Sequence, residues 1–357
     1  MERSRFPEAS PPEAASRRLP PLAALLLTAL LVGCGGSGEG DALLQDYQRE
    51  LASALDLPAP EPASPGNIGA FPARDERLFE VSETRDGLLN VYALRECHIT
   101  SLVAERNNQL GRVAPPSQRW LYELELWRRL HACQHSEIPE TLSESHRERL
   151  TRLTETKTEQ LPRVSWNSLF DSEEWTGSFS RASSPLQPDD AAAVETQLSA
   201  IAWLREATLN QFNPQWQHDS STLENHLKTL RSRPLTAEVL RALMLAEQRL
   251  GEANALLEAR LSRADTCRGL DAPGTELRAR FETQPTTDWL TRLETLAERW
   301  LGAVEELLDS HIEPPTAVAE YRRHWLSLAD PEAPLPAYRA ALETHRHHWR
   351  TLAERCP

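Results

Sequence analysis

Apolar side chains recur at helical spacing from about Ser82 almost to the end of the chain. β-Branched residues are sparse there, and no stretch alternates between apolar and polar residues as a half-buried strand would. Two stretches, 243–257 and 290–308, carry apolar seams at near-heptad spacing. Such seams are typical of long antiparallel helices that pack at shallow angles. The sequence therefore predicts an all-α fold, a multi-helix bundle of antiparallel helices.

An apolar run of eleven residues, 22–32, lies near the N-terminus behind Arg17 and Arg18. It is too short to span a bilayer as a helix, which needs about 20 residues, and it suits the apolar core of a signal peptide. The run ends at Gly33-Cys34, which resembles the lipobox of bacterial lipoproteins. The resemblance implies that residues 1–33 are a cleaved signal peptide and that the Cys34 thiol is acylated. The alternative is an uncleaved membrane anchor with a chance cysteine, but a span needs nearly twice this length.

Gly35 follows this cysteine, where lipoproteins retained in the inner membrane typically have Asp. By the same resemblance we expect the inner leaflet of an outer membrane, with the protein facing the periplasm. The glycine-rich stretch 35–40 has the composition of a flexible tether. Asp41 is placed to cap one short helix after it.

The predicted mature chain has two parts. Residues 34–75 form the lipidated cysteine and tether with its short helix, and residues 76–357 form the α-helical domain. Irregular sequence in the middle of that domain would divide it into two sub-bundles, 76–162 and 186–357.

The chain is acidic, with 53 Asp and Glu against 39 Lys and Arg and a net charge of −14. The predicted signal peptide carries four arginines and three glutamates, so its removal leaves −15. Nucleic acid and anionic lipid would both repel such a chain. We expect no nucleic-acid partner. The expected partners are a lipid bilayer, through acylated Cys34, and an envelope protein.

The region on either side of residue 115 predicts a helical hairpin. One helix runs from about Ser82 to Leu110, and Gly111 suits the position after its end. Two prolines then break the chain, Ser117 can cap a second helix, and that helix ends near Cys133. Because the connection is short, the two helices should be antiparallel.

Four cysteines remain beside Cys34, which in an oxidising compartment suggests two disulfides. Cys97 lies 13 residues before the end of the first hairpin helix, about 20 Å at 1.5 Å per residue. Cys133 lies 16 residues after the start of the second, about 24 Å on the same scale. The two thiols should therefore meet across the hairpin, which leaves Cys267 to pair with Cys356.

A third helix is predicted to end near Pro162, followed by an irregular stretch that holds four aromatic residues, Trp166, Phe170, Trp175 and Phe179. Aromatic residues outside regular structure sometimes form docking surfaces. They can equally plug the ends of a helical bundle. The sequence leaves both interpretations open.

The segment from Cys97 to Cys133 is the most distinctive part of the chain. It contains Glu105-Arg106-Asn107, Leu110-Gly111, Ser117, Arg119 and Tyr122-Glu123. With the flanking cysteines, this pattern resembles a family of uncharacterised Gram-negative lipoproteins, known as domain of unknown function 3080. Together with the lipobox, the resemblance covers nearly the whole chain and implies no activity.

The tip of the predicted hairpin is rich in polar side chains, namely Glu105, Arg106, Asn107, Asn108, Arg119, Tyr122 and Glu123. One interpretation is a polar pocket for a ligand or partner. The other is a buried network of ion pairs and hydrogen bonds that fixes the hairpin, since buried charges must be paired. We favour the second, because polar networks of this kind often serve packing.

His98, His131 and His135 lie close to the first pair of cysteines, and these residue types suit a zinc site. Alternate residues of a helix do not share a face, however, so a disulfide with surface histidines is the preferred interpretation. Three further histidines near the C-terminus, 345, 347 and 348, are interpreted as a solvated helix end.

No common catalytic motif occurs: the chain lacks His-Glu-x-x-His, Gly-x-Ser-x-Gly, a Walker loop and Cys-x-x-Cys. We therefore expect a non-catalytic binding or scaffold role in the envelope, with no cofactor and no metal. The alternative is a metal-assisted enzyme that uses His98, His131 and His135.

Overall fold

The computed structural model describes residues 38–84, 87–217 and 219–357. The predicted signal peptide, the lipidation site Cys34 and most of the glycine-rich tether lie outside these residues. The described residues contain helices and no strand, which confirms the all-α prediction. Within the same ranges, none of the helices is both long and apolar enough to cross a bilayer.

Residues 38–357 form one compact unit. Its helices are α1 (Glu39–Ala54), α2 (Arg74–Arg77), α3 (Leu88–Ala93), α4 (Thr100–Asn107), α5 (Gln109–Arg112), α6 (Pro116–Gln134), α7 (Ile138–Thr141), α8 (Glu144–Phe170), α9 (Glu173–Gly177), α10 (Ala191–Leu209), α11 (Ser220–Arg231), α12 (Leu235–Leu261), α13 (Gly274–Glu282), α14 (Pro285–Asp309), α15 (Thr316–Tyr321) and α16 (Pro334–Arg355). A 3-10 turn (Arg95–Cys97) follows α3, and a π-helical turn (Arg322–Leu326) follows α15.

Helix α12 is the central element of the bundle. It packs against α1, α14 and α16, and most of its apolar side chains are buried, Leu240, Leu243 and Ala246 completely. Small alanines on several sides of α12 allow neighbouring helices to approach from more than one direction. Of the 27 residues of α12, 16 are buried, as its central position requires.

Helix α1 begins at Glu39, two residues before the predicted cap at Asp41. Gly40 is buried against the Trp289 ring, where an added Cβ would lie 3.1 Å from the ring atoms. The Asp41 carboxylate accepts a hydrogen bond from Nε of Arg249 at 2.8 Å instead of capping the helix. Residues 39 and 40 of the predicted tether therefore belong to a helix that packs on the core.

Arg260 fixes the other end of α1. Its side chain is fully buried, and its Nη1 donates to the Leu55 main-chain oxygen at 3.0 Å, at the C-terminus of α1. Its Nε donates to the Thr266 oxygen at 2.7 Å, and Nη2 donates to the Arg268 oxygen. Carbonyl groups at a helix C-terminus carry partial negative charge, so they are suitable partners for a buried cation.

The predicted single helix over 82–110 is wrong. The chain instead forms α3, a 3-10 turn, α4 and α5, with His98 in the left-handed region at a φ of 56°. Leu94 and Ile99 are both buried in one cluster with residues of α6 and α8. Five residues apart on a straight helix, they would point about 140° away from each other. The break allows both side chains to face the same cluster.

Helices α6 and α8 form the principal hairpin of this region. Ser117 does not cap α6 as predicted: Pro115 takes the capping position, and the Ser117 hydroxyl donates to a Glu224 carboxylate oxygen at 2.8 Å. Helix α6 ends at Gln134, close to the predicted end.

The prediction that the third helix ends near Pro162 is also wrong, because α8 continues through this proline to Phe170. A proline inside a helix costs about 3 kcal/mol. Burial of large side chains such as Trp166 and Phe170 offsets this cost, since each fully buried apolar side chain contributes about 1.5–3 kcal/mol. All four aromatic residues of the supposedly irregular stretch lie in the core, as bundle plugs rather than as a docking surface.

The structure contains both predicted disulfides. Cys97 is bonded to Cys133 and Cys267 to Cys356, with Cα–Cα distances of 5.2 and 5.4 Å. The first bridge joins the 3-10 turn to the last turn of α6. The second joins the loop after α12 to the C-terminus.

Candidate interaction site

Segment 87–113, which comprises α3, the 3-10 turn, α4 and α5, exposes several large apolar side chains. Leu89 is 83% exposed, Tyr92 56%, Leu110 80% and Val113 78%. They are four of the six exposed large apolar side chains among the described residues. Four large apolar side chains exposed within one short segment of an acidic chain make that segment the candidate interaction site.

The segment is held against the α6–α8 hairpin by covalent and polar contacts. The Cys97–Cys133 disulfide fixes its middle, and Arg129 on α6 donates to the His98 main-chain oxygen. Buried Leu94 and Ile99 pack on a small cluster separate from the main core. The exposed side chains are therefore presented on a fixed base, although the helices that carry them are short.

The polar side chains that were predicted at the hairpin tip lie in different surroundings, some within segment 87–113 and some on α6. Glu105, Asn107 and Asn108 are exposed, and the Asn108 side chain caps α5 by accepting a hydrogen bond from the Gly111 amide at 2.8 Å. Arg106 donates to the Gly111 main-chain oxygen. These contacts form the turn around α5.

The members of the set on α6 face inward. Glu123 is buried and pairs with Lys157 on α8 at 2.9 Å, both side chains being no more than 10% exposed. Tyr122 is half-buried under the Arg106 guanidinium, and burial raises its pKa to about 12. Arg119 is half-buried in the first turns of α6. The Glu123–Lys157 pair fixes the hairpin, as the packing interpretation expects.

The three histidines of the metal hypothesis are only partly brought together. The His131 and His135 rings lie 4.2 Å apart between centroids at the end of α6. His98 is exposed in the turn after Cys97. Within the described ranges, no group of three or more His, Cys, Asp or Glu side chains is placed to hold a metal ion.

A buried polar cluster at the junction of α1, α12 and α16 was not predicted from the sequence. His345, interpreted above as part of a solvated helix end, is only 6% exposed. Its Nδ1 donates to Oδ1 of Asn254 at 2.8 Å, so its Nε2 is the acceptor for the Tyr47 hydroxyl at 2.6 Å and the Trp349 indole at 3.1 Å. The one feature of the sequence that indicates this burial is the position of His345 in the apolar stripe of α16.

This cluster predicts a pH dependence of stability. Burial lowers the pKa of His345 to about 3, below its ordinary value of 6.5, with further lowering from His348 and Arg346. The unfolded chain therefore binds a proton that the native state excludes, and stability is lost as the pH falls below 6.5. Between pH 7.5 and 4.5 this group should remove about 2–3 kcal/mol from the free energy of unfolding.

Urea unfolding at several pH values, compared between the wild type and His345→Gln, measures this contribution. The wild type should show the steeper fall in the free energy of unfolding with decreasing pH. His347→Gln, which changes an exposed histidine of the same helix, should retain the wild-type slope. Equal slopes for wild type and His345→Gln would contradict the assignment.

A small cavity lies between α6, α8, α10 and α11. Its polar lining includes Ser117, Ser165, Thr208 and His311, and its volume of about 10 Å³ is enough for one water molecule. Burial lowers the pKa of His311 to about 4. The cavity suits a structural water and is too small for an organic ligand.

A family model described as a protein of unknown function, DUF3080, matches residues 44–357. The match extends from α1 to the last residue and so includes the hairpin, segment 87–113 and both disulfides. No curated protein and no solved structure matches the chain. The chain belongs to the DUF3080 family of proteins of unknown function.

Proposed function

We propose that this chain is a lipid-anchored protein of the bacterial envelope that acts by binding a partner protein, without catalysis. The proposal begins from the lipobox-like sequence at Cys34. Two disulfides within one compact unit support an oxidising compartment such as the periplasm.

The observation that carries the binding role is the exposure of Leu89, Tyr92, Leu110 and Val113 on segment 87–113. Exposed apolar side chains do not stabilise this fold, since they make few contacts with it. In a complex, each would be removed from water, and burying such a side chain contributes about 1.5–3 kcal/mol. The disulfide at the base of the segment limits the conformational entropy that docking would cost.

A photo-crosslinking residue in place of Leu110 tests this role in the native envelope. We expect a discrete crosslinked product that disappears when Leu89 and Val113 are both changed to serine. These two changes are at exposed positions, where the free energy of unfolding should change by no more than about 0.5 kcal/mol. Loss of the product would therefore report lost binding rather than unfolding.

Leu209 is the matched control, because it is an apolar side chain, 58% exposed, that lies outside the segment. The same crosslinker there should not give the product. The proposed role for segment 87–113 fails if positions 110 and 209 give the same product, or if the product survives both serine substitutions.

A further inference from the structure

His131 and His135 form an adjacent pair of imidazoles at the end of α6. They lie four residues apart, so they share a helix face, whereas Cys133 between them points to its disulfide with Cys97. Their ring centroids are 4.2 Å apart and their planes are tilted by 31°. His135 is exposed and His131 half-buried, so the pair is open to solvent on one side.

The hydrogen bonding of His135 leaves one ring nitrogen available as a ligand. Its Nδ1 lies 2.8 Å from the His131 main-chain oxygen. A carbonyl oxygen can only accept, so Nδ1 must carry the proton and Nε2 must present its lone pair. Histidines that bind metals commonly have their second nitrogen held in this way, because the bond fixes the tautomer and the ring orientation.

The surroundings of His131 also suit a metal ligand. The Trp127 ring stacks on its imidazole at 4.8 Å and holds it in place. The C-terminal end of a helix carries partial negative charge and favours a bound cation.

We propose that His131 and His135 together bind one divalent transition-metal ion, with water completing its coordination. Metal–nitrogen distances of about 2.0–2.1 Å require the two nitrogens to lie about 3 Å apart, and the ring centroids here are 4.2 Å apart. Imidazole ligands suit copper, nickel and zinc, and Cu(II) binds most tightly of the first-row divalent ions. The site uses two protein ligands and does not require His98 or the disulfide cysteines.

The test is a titration of the full, tag-free protein with Cu(II), followed by electron paramagnetic resonance and by tryptophan fluorescence. We expect one Cu(II) per chain, a spectrum showing two coordinated nitrogens, and quenching that decreases in Trp127→Phe. Changing either His131 or His135 to alanine should lower the affinity by on the order of 10²-fold, because the second imidazole acts at a high effective concentration.

His324→Ala is the matched control. His324 is exposed, and its Nδ1 makes the same bond to the main-chain oxygen four residues earlier, at 2.9 Å, but no second imidazole is four residues away. This variant should bind Cu(II) like the wild type, and circular dichroism should show unchanged helix content in all variants. The proposal is overturned if Cu(II) does not bind, if only one nitrogen is coordinated, or if both alanine variants retain wild-type affinity.

Discussion

Removing the Cys267–Cys356 disulfide by changing both cysteines to alanine should lower the free energy of unfolding by about 4–5 kcal/mol. The main reason is that the unfolded chain gains conformational entropy when the bridge is absent. The bridge closes a loop with a sequence separation of 89 residues. For a unit of this size, the loss corresponds to a decrease in melting temperature of about 5–10 °C.

The helix content of this variant should be nearly unchanged at room temperature, because other contacts also hold the C-terminus. The Gly274 amide donates to the Cys356 main-chain oxygen at 2.6 Å, and Trp349 and Leu352 remain packed against Phe281 and Leu277. Thermal unfolding followed by circular dichroism gives the measurement, and peptide mapping without reduction identifies the remaining bridge.

The Cys97–Cys133 bridge provides the comparison. Its sequence separation is 36 residues, so its removal should lower the free energy of unfolding slightly less, by about 3–4 kcal/mol. It should also loosen segment 87–113, which hydrogen exchange would detect as faster exchange of the α4 amides. An unchanged melting temperature after removal of either bridge would contradict the contribution to the free energy of unfolding that is assigned to that bridge.

Replacing Cys34 by alanine should abolish incorporation of labelled fatty acid and release the protein from the membrane. The reason is chemical, since an alanine side chain has no thiol to acylate. Two acyl chains hold a protein durably at a membrane, so their loss should remove the proposed attachment. Metabolic labelling followed by membrane fractionation measures both effects.

Changing Cys97 and Cys133 to alanine is the control for this experiment. That variant keeps Cys34 and should be labelled as strongly as the wild type. Equal labelling of the wild type and Cys34→Ala would reject the lipid anchor, while leaving the binding role of segment 87–113 to its own test.

The long helices could be predicted from the sequence because their burial is regular. In α14, residues at intervals of three and four face the core, so the apolar seam in the sequence directly predicts a helix. The same holds for the stripe of α16. Where one helix face is buried along its whole length, local pattern and tertiary packing agree.

The breaks and continuations near the hairpin could not be predicted in this way. Leu94 and Ile99 fit a helical pattern locally, but the position of the α6–α8 hairpin decides that both face one cluster. Pro162 is a helix breaker by local rules, and only the burial of Trp166 and Phe170 explains why α8 continues. The disulfide prediction was nevertheless correct, since Cys97 in the 3-10 turn is bonded to Cys133 at the end of α6.

Buried polar residues were the hardest feature to predict. Arg260, Arg249 and His345 each have at least one hydrogen-bond partner that lies 91 or more residues away in sequence. No local pattern identifies such partners. For the candidate site, the sequence singled out the segment from Cys97 to Cys133, which overlaps segment 87–113 only in part. It directed attention to the polar side chains there rather than to exposed Leu89 and Leu110.

The arrangement of α1, α12 and α16 has a consequence for the order of folding. Helix α1, at the start of the described chain, packs on α12 about 200 residues later, and α12 in turn packs on α16 at the C-terminus. During synthesis from the N-terminus, α1 emerges long before either partner and has no surface on which to dock. Contacts of such high sequence separation form slowly, so the first helix to emerge should be among the last to reach its native position.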